Sequence, residues 1–348
     1  MSCFIPDRPG ALYKTIILVQ TIFLLGIGGC SNQREYGVSG RTMGTSYHIK
    51  YNASLFFDHQ TLKKEITEKL KNINHSMSTY DPKSEISTFN RMADTNEKLS
   101  ISDDFYQVMS EAKQLHTMTQ GAWDGTVKPL VNLWGFGHTS HPQKKPDELQ
   151  IQECLQSIGF QHIQITDHQL QKKIPQLQLN LASIAKGFGV DQIAKVLEKH
   201  GIANYLVEIG GEVFAKGNKI SGDPWRVGVN HPSIDASAND IYYALPLTNK
   251  AIATSGDYRN FFLDGNKRYS HVIDPTSGYP VNNGIVSVSV LTNTCSFADG
   301  LATALMVMGE KSGLELVNRL SDTECLIIKE NETGDGFALF FSEGFPRK

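Results

Sequence analysis

The residue pair that first indicates a chemistry is Asp299 and Thr303, in the apolar segment that follows Cys295. Because the two are four residues apart, they share one face of the helix that this segment predicts. A carboxylate and a hydroxyl one turn apart are hard oxygen ligands that suit Mg²⁺, which usually keeps waters and phosphate oxygens at its other positions. The alternative is a solvent-facing aspartate near a helix N-terminus, where the helix dipole favours it, with a neutral threonine beside it. For an isolated pair, the alternative is the more common case.

A second cluster, residues 180–191, runs from a predicted strand into a predicted helix and contains Asn180, Ser183 and Lys186. The free N–H groups of a helix N-terminus bind anions, and Lys186 would add a cation for a phosphate. The alternative is that Ser183 caps the helix and that the lysine is exposed.

Two further segments carry rings. The glycine-rich stretch 121–137 contains Trp123, Asp124 and Trp134, and its aromatic residues could stack on a flat ligand, although core packing is the usual role of tryptophan. His271 lies between a predicted strand and a turn, where it is either a proton acceptor or a polar residue with satisfied hydrogen bonds.

The composition is that of a globular protein. Of the 348 residues, 40% are hydrophobic and 20% are charged, which fits neither a disordered chain nor a multi-span membrane protein. The net charge of -3 and the lack of a Lys/Arg run argue against nucleic acid as a partner. The chain lacks the motifs of Rossmann, P-loop, zinc-protease and α/β-hydrolase sites. His138 and His141 are interpreted as solvated loop residues, and no CxxC spacing indicates a zinc site or a disulfide framework.

The N-terminus has the order of segments of a secretory signal. Two basic residues precede the apolar run Thr15–Leu25, and small residues then lead to Cys30. This run is shorter than the ~20 apolar residues that span a bilayer, and a cysteine after Ile-Gly-Gly resembles the bacterial lipoprotein box. We therefore predict a signal peptide over residues 1–29, a lipid on Cys30 and a polar tether over residues 30–40. The alternative is an uncleaved anchor helix, and either form is exported.

The remaining residues, 41–348, predict a single α+β domain in two lobes, with a helix-rich first half and a strand-rich second half. Apolar residues at helical spacing predict helices at residues 62–73, 105–115 and 151–158. The second half predicts strands at residues 177–181, 205–209, 225–229, 241–247 and 286–290, a hairpin at Asp264-Gly265, and interrupting helices at 183–200 and 295–308. This irregular order of helices and strands argues against a regular βαβ repeat.

Taken together and in this order, the clusters resemble the ApbE family of FAD:protein FMN transferases. The motifs that carry the resemblance are Arg41–Thr45, 78–90, 123–137, 183–187, 208–212, 254–258, 270–275 and Ala298–Thr303. They extend the resemblance from Arg41 to the C-terminus, and a lipoprotein signal is also common in this family. The resemblance implies the family fold, Mg²⁺ as cofactor and FAD as flavin donor. It also implies transfer of FMN to a threonine of a membrane redox subunit, with release of AMP.

The resemblance further implies roles for individual residues. The FAD-binding residues would be Met43, Tyr80, Ala122, Trp123, Asp124, Asn180, Lys186 and Ile273. The Mg²⁺ ligands would be Asp299, Thr303 and a backbone carbonyl at about Ser183. His271 is the candidate base for the acceptor hydroxyl. The protein would be anchored through Cys30 on the periplasmic side of the inner membrane, with the outer membrane as the alternative location.

Two positions depart from the family pattern. Many relatives have Asp where this chain has Asn180, and some have an acidic residue where it has Ala302. The metal site is therefore expected to contain one carboxylate and more waters. Two other functions remain open: a hydrolase that splits FAD with water as nucleophile, and a non-catalytic lipoprotein that stores or delivers FAD. A binding protein would not need the Asp299–Thr303 pair, so this pair favours catalysis.

Overall fold

The computed structural model describes residues 33–137, 143–233, 240–258, 260–265, 267–331, 333 and 336–347. Cys30, the predicted signal peptide and the two loop histidines, His138 and His141, lie outside these ranges. Within the ranges, no helix is both long and apolar enough to cross a membrane.

Most strands of the described chain form one large antiparallel sheet. The strands are β1 (Gln33–Thr42), β2 (Thr45–Ser54), β3 (Leu99–Ser100), β4 (Ile163–Thr166), β5 (Gln169–Lys172), β6 (Tyr205–Ile209), β7 (Glu212–Lys216), β8 (Trp225–Asn230), β9 (Ile241–Leu247), β10 (Lys250–Gly256), β11 (Phe261–Asp264), β12 (Lys267–Ser270), β13 (Ile285–Thr292), β14 (Glu324–Glu330) and β15 (Phe337–Phe341). The large sheet has the order β1-β2-β6-β7-β10-β13-β14-β15, and small sheets are formed by β3-β5-β4, β8-β9 and β11-β12.

The helices are concentrated in the first half of the domain. They are α1 (His59–Met77), α2 (Glu85–Arg91), α3 (Asp103–Met118), α4 (Lys128–Leu133), α5 (Glu148–Leu155), α6 (Ala182–Lys199), α7 (Cys295–Met308) and α8 (Glu310–Val317). Side-chain caps fix several N-termini: Ser102, for example, accepts a hydrogen bond from the Phe105 amide at the start of α3.

The large sheet is covered on both faces. Because successive residues of a strand point to opposite faces, Leu326 and Ile328 of β14 pack toward the β8–β9 pair, whereas Cys325 and Ile327 pack under the helices. The helical layer is centred on α6 and α7, and α7 lies against β10 and β13. This arrangement confirms the predicted α+β class.

The start of the domain differs from the sequence prediction. The tether predicted over residues 30–40 is wrong for residues 33–40, which belong to β1 and pair with β2 from Gln33 opposite Ser54 to Thr42 opposite Thr45. The polar composition of this segment is explained by its position at the edge of the sheet, where only Val38 and Thr42 of β1 are buried. The folded domain therefore includes residues before Arg41.

The strand predicted at residues 177–181 is also wrong, because that segment makes a single bridge, from Gln178 to Val127. The side chain of Asn90 makes the backbone hydrogen bonds that a neighbouring strand would otherwise make. The Asn90 amide accepts from the Leu179 N–H at 2.7 Å and donates to the Leu179 carbonyl at 2.9 Å. The other predicted strands, the Asp264-Gly265 hairpin and the predicted helices are present with small shifts of their ends.

Candidate functional site

The elements converge on a cavity of about 920 Å³, near the upper end of the roughly 300–1,000 Å³ range of small-molecule sites. Each predicted site residue in the described part of the chain lines this cavity: Met43, Tyr80, Ala122, Trp123, Asp124, Asn180, Ser183, Lys186, His271, Ile273, Asp299 and Thr303. The predicted lipidation site, Cys30, is outside the described residues.

Asp299 lies at the contact between α6 and α7, where it is 3% exposed. A Cβ atom on Gly187 would lie 2.2 Å from the Cys295 carbonyl oxygen, so only glycine permits this approach of the two helices. The Gly187 N–H donates to Oδ2 of Asp299 at 3.0 Å. The solvent-facing aspartate considered as an alternative is therefore wrong.

Lys186 joins two buried carboxylates. Its Nζ lies 3.1 Å from Oε1 of Glu212 and 3.5 Å from Oδ1 of Asp299. Burial alone would lower the pKa of Lys186, but the two carboxylates outweigh this effect and raise the pKa. Burial raises the pKa of Glu212, and the attraction of Lys186 opposes this rise. The lysine is thus a fixed cation inside the cavity, and the alternative of an exposed lysine is wrong.

The donor set fits Mg²⁺ better than a metal that needs several protein ligands. The described residues contain no group of three or more His, Cys, Asp or Glu arranged to hold a metal. Mg²⁺ is usually bound by one or two carboxylates, with waters and substrate phosphates at its other positions. Asp299 and Thr303 supply a carboxylate and a hydroxyl, and Oε2 of Glu212 is buried with no hydrogen-bond partner among the described residues. This unpaired oxygen provides acceptor capacity for a cation or its water.

Thr303 is one helical turn after Asp299 on α7, as predicted. Its Oγ1 is 2.9 Å from Oγ of Ser255 on β10. The hydroxyl is therefore held between the helix and the sheet and faces the same cavity as Asp299.

Trp123 is a buried wall of the cavity and not an exposed stacking surface. It is 1% exposed, and its Nε1 donates to Oγ of Ser183 at 3.1 Å. Ser183 lies inside the first turn of α6, whose N-cap is Leu181, so the alternative in which Ser183 caps the helix is wrong. Trp134 does not line the cavity: it is fully buried and donates to the Gly278 carbonyl at 2.9 Å.

Tyr80 and Met43 lie at the edge of the same cavity. Tyr80 is 80% exposed and lies just after α1, which makes its ring the accessible aromatic surface among the predicted site residues. Met43 is in the β1–β2 turn with a φ of 49°, followed by Gly44 with a φ of 75°. Positive φ at both positions is the geometry of a two-residue hairpin turn, and it brings the thioether into the cavity lining.

Asp124 and Asn180 shape the cavity through backbone contacts. Asp124 accepts from the Thr126 amide and hydroxyl through Oδ1 and from the Phe160 amide through Oδ2 at 3.0 Å. The Asn180 amide donates to the Gly125 carbonyl at 2.8 Å, and its side-chain Oδ1 accepts from Ala182. These bonds fix the loop after Trp123 against the start of α6.

The imidazole ring of His271 is oriented by a hydrogen bond at Nδ1. Its Nδ1 is 3.1 Å from the Asn260 carbonyl, which can only accept, so Nδ1 carries the proton. In the neutral ring, Nε2 is then the unprotonated nitrogen. Burial lowers the pKa of His271, and the nearby Lys186 cation lowers it further, against the Asn260 contact.

Glu212, Ser255 and Asn260 are among the lining residues to which the sequence assigns no role. Glu212 follows the Gly210-Gly211 turn, which is stabilised by a 2.7 Å hydrogen bond from the Gly211 amide to Glu208. The only available signal was their position within or beside motif segments, since burial of a carboxylate next to a lysine is a tertiary property.

Comparison with known proteins decides the family. Residues 43–327 match the model of the ApbE family. The chain belongs to this family. The matched span contains every predicted site residue of the described chain, from Met43 to Thr303.

Full-length relatives of the ApbE family agree with the assignment. The FAD:protein FMN transferase of Vibrio cholerae is 43% identical over 94% of this chain and 97% of its own length. The protein of the same name from Haemophilus influenzae is 39% identical over 95% of this chain and 96% of its own.

Solved structures of ApbE proteins share the fold. The flavin transferase ApbE from Vibrio cholerae superposes with a TM-score of 0.82 at 43% identity, covering 90% of this chain and 98% of that structure. The apo form of the Pseudomonas stutzeri flavinyl transferase ApbE gives a TM-score of 0.81 at 33% identity, covering 91% and 97%. The predicted family and its single α+β domain are thus confirmed.

Proposed function

We propose that this protein transfers the FMN part of FAD to a threonine hydroxyl of an acceptor protein, with AMP as the leaving group. The observation that carries the proposal is the ion pair between the buried Asp299 and the partly buried Lys186 in a cavity that His271 also lines. The names of the relatives support flavin transfer from FAD to a protein. The threonine acceptor, the metal and the release of AMP are our inference.

The cavity has surfaces for both halves of FAD. Its volume of about 920 Å³ is sufficient for a large dinucleotide. The exposed ring of Tyr80 can stack on one of the flat rings, and Met43 and Ile273 add apolar contacts. Lys186 is a fixed cation for the pyrophosphate, which is the part of FAD that must be held during transfer.

Asp299 and Thr303 would hold Mg²⁺ together with the backbone carbonyl of Ser183. In a regular α-helix, the Ser183 carbonyl accepts a hydrogen bond from the Gly187 N–H. Here the Gly187 N–H also donates to Asp299, which weakens its bond to the Ser183 carbonyl. When bound, Mg²⁺ would neutralise charge on the pyrophosphate and on the departing phosphate. The Glu212 carboxylate would orient water in the same region.

His271 would accept the proton of the acceptor hydroxyl through Nε2. The Nδ1 proton is held by the Asn260 carbonyl, which fixes the orientation of the ring. As the threonine oxygen forms a bond to the FMN phosphorus, its proton moves to Nε2, and the bond from that phosphorus to the AMP oxygen breaks. Depression of the His271 pKa keeps the ring neutral and able to accept a proton near neutral pH.

We further propose that Cys30 carries a lipid and holds the domain on the periplasmic side of the inner membrane. The support is the order of basic, apolar and small segments before Cys30. This location would place the enzyme beside membrane redox subunits, the acceptors implied by the family resemblance.

The mass of an acceptor peptide tests the proposed reaction. The acceptor motif that the family resemblance implies is Ser/Thr-Gly-Ala-Thr. A peptide with this sequence, incubated with the protein, FAD and Mg²⁺, is expected to gain one FMN group on its last threonine. Free FMN and AMP without a modified peptide would indicate the hydrolase. Unchanged FAD with retained binding would indicate the non-catalytic flavin-binding lipoprotein.

A further inference from the structure

The end of the large sheet that is remote from the cavity carries exposed apolar side chains. Phe56 is 92% exposed and Leu55 is 39% exposed, directly after β2. Scattered hydrophobic residues on a surface are ordinary and need no explanation. Leu55 and Phe56 are of interest because another exposed apolar residue and the start of β1 lie at the same end of the sheet.

The register of the sheet places a third apolar side chain at the same end. Tyr205 pairs with Tyr51 of β2 and with Lys216 of β7, so the loop after β7 emerges beside the end of β2. Ile220 in that loop is 51% exposed. The amide of Asn52 ties the loop to β2 by a 3.3 Å hydrogen bond to the Asn218 carbonyl.

Gln33, the first described residue, is at the same end of the sheet. Gln33, the first residue of β1, pairs with Ser54, which immediately precedes Leu55. Cys30 is three residues before Gln33 in the sequence, a span of at most about 10 Å for an extended chain. A bilayer that holds a lipid on Cys30 would therefore be within reach of Phe56.

We infer that Leu55, Phe56 and Ile220 form a lipid-binding surface that inserts into the interface of the bilayer in which Cys30 is anchored. The inference rests on the location given under the proposed function. Leucine, isoleucine and phenylalanine are suited to the boundary between headgroups and acyl chains. Lys219, next to Ile220, can extend its amine to anionic headgroups while its carbon chain lies along the apolar side chains.

This second contact would set the height of the active site above the membrane. A lipid tether alone leaves the domain free to rotate, whereas a second contact fixes one end of the sheet. The ten residues of β1 run from Gln33 to Thr42, next to Met43 of the cavity. At about 3.3 Å per residue, the cavity lies up to ~30 Å from the anchored end. Acceptor threonines would then be modified at that height.

Fluorescence of a single introduced tryptophan tests the contact. The native tryptophans Trp123, Trp134 and Trp225 are at most 2% exposed, so lipid cannot reach them directly. The full-length chain with Phe56→Trp is reconstituted in vesicles of phosphatidylethanolamine and phosphatidylglycerol with brominated acyl chains. The matched control is Leu263→Trp, because Leu263 is 65% exposed in β11, whose partner β12 leads directly to His271.

We expect the brominated lipid to reduce the introduced emission of Phe56→Trp about twofold and to leave that of Leu263→Trp unchanged. Equal quenching of the two introduced tryptophans by brominated lipid, in vesicle-bound protein, would overturn the inference and would leave the proposed location intact. Docking of a protein partner on the same side chains would give this result, since the vesicles contain no partner. A chain that does not float with the vesicles would overturn both the location and the inference. Transfer to an added peptide, measured in the same vesicles, tests the proposed reaction separately.

Discussion

The Gly187 amide donates a 3.0 Å hydrogen bond to Oδ2 of Asp299, and this bond joins α6 to α7 at the cavity. The bond is possible because residue 187 has no side chain: a Cβ atom there would lie 2.2 Å from the Cys295 carbonyl oxygen. The position of the proposed metal ligand therefore depends on a glycine of the neighbouring helix.

Gly187→Ala is expected to lower the free energy of unfolding by ~1–3 kcal/mol, the usual cost of overpacking, and to weaken Mg²⁺-dependent transfer in the folded fraction. Gly313→Ala is the control, because Gly313 is also helical but its Cβ would meet a Leu305 side-chain atom at 3.3 Å. Urea titration and a transfer assay measure the two effects. Equal stability and activity of the two variants would show that the close approach of α6 and α7 is not required.

Asp299→Asn is expected to reduce transfer and any FAD hydrolysis at least ~100-fold, equivalent to about 3 kcal/mol of transition-state stabilisation. Flavin binding should persist in weakened form, because the apolar contacts of the cavity remain. Thr303→Val and addition of EDTA to the unaltered protein should have the same effect. Asp264→Asn is the control, since an Asn-Gly turn preserves the β11–β12 hairpin. Full metal-dependent transfer by folded Asp299→Asn protein would exclude the proposed metal site.

Tyr80→Ala is expected to weaken FAD binding by roughly 1–3 kcal/mol, the scale of stacking on an aromatic side chain, without loss of stability, because the ring is 80% exposed. Trp123→Ala should instead destabilise the fold by about 3–5 kcal/mol, since it removes a fully buried ring. Flavin titration and thermal unfolding of both variants separate the two roles. Unchanged FAD affinity of Tyr80→Ala would show that the flat rings of FAD bind to another surface.

His271→Ala is expected to retain FAD but to slow transfer by a factor of roughly 10²–10⁴, the range for loss of a positioned base. In the unaltered protein, the base must be neutral, and its pKa is below the ordinary value of 6.5. The midpoint of the loss of transfer on acidification should therefore lie below pH 6.5. A midpoint above pH 6.5, or unchanged turnover by the alanine variant, would contradict this role.

Site residues that lie on one helix are predictable from the sequence, whereas contacts between elements far apart in the chain are not. The Asp299–Thr303 pair was predictable because helical spacing alone sets which residues share a face. The buried partner of Lys186, Glu212, was not predictable, since β7 meets α6 only in the folded chain.

The fold showed the same limit. Alternating apolar residues predict strands such as β13, whereas the polar sequence of β1, which lies at the exposed edge of the sheet, predicts a tether. At residues 177–181, apolar side chains suggested a strand, but Asn90 satisfies the backbone in place of a neighbouring strand. Long-range hydrogen bonds of this kind leave no local pattern.

Glu111 of α3, Asp191 of α6 and Ser296 of α7 meet where the three helices pack together. The Ser296 hydroxyl lies 3.0 and 2.9 Å from the two carboxylate oxygens of Glu111 and 2.8 Å from Oδ2 of Asp191. One hydroxyl proton cannot serve three acceptor oxygens. Asp191 already accepts hydrogen bonds from the Cys295 and Ser296 amides at the start of α7. We therefore expect Glu111 to be the group that holds a second proton.

Burial raises the pKa of Glu111 from 4.5 to about 7; Asp191 and Asp299 add to the shift, while Ser296 and Lys195 oppose it. Because the folded pKa lies above the unfolded one, the stability that this proton contributes is complete below pH 4.5 and is lost as the pH rises to about 7. A difference of this size corresponds to at most about 3 kcal/mol. Glu111→Gln, which mimics the protonated form, should therefore stabilise the fold at pH 8 and have little effect at pH 4.5. Urea titrations at the two pH values measure this difference, with the exposed Glu153→Gln as control. An equal effect of Glu111→Gln at both pH values would mean that Glu111 does not hold the proton.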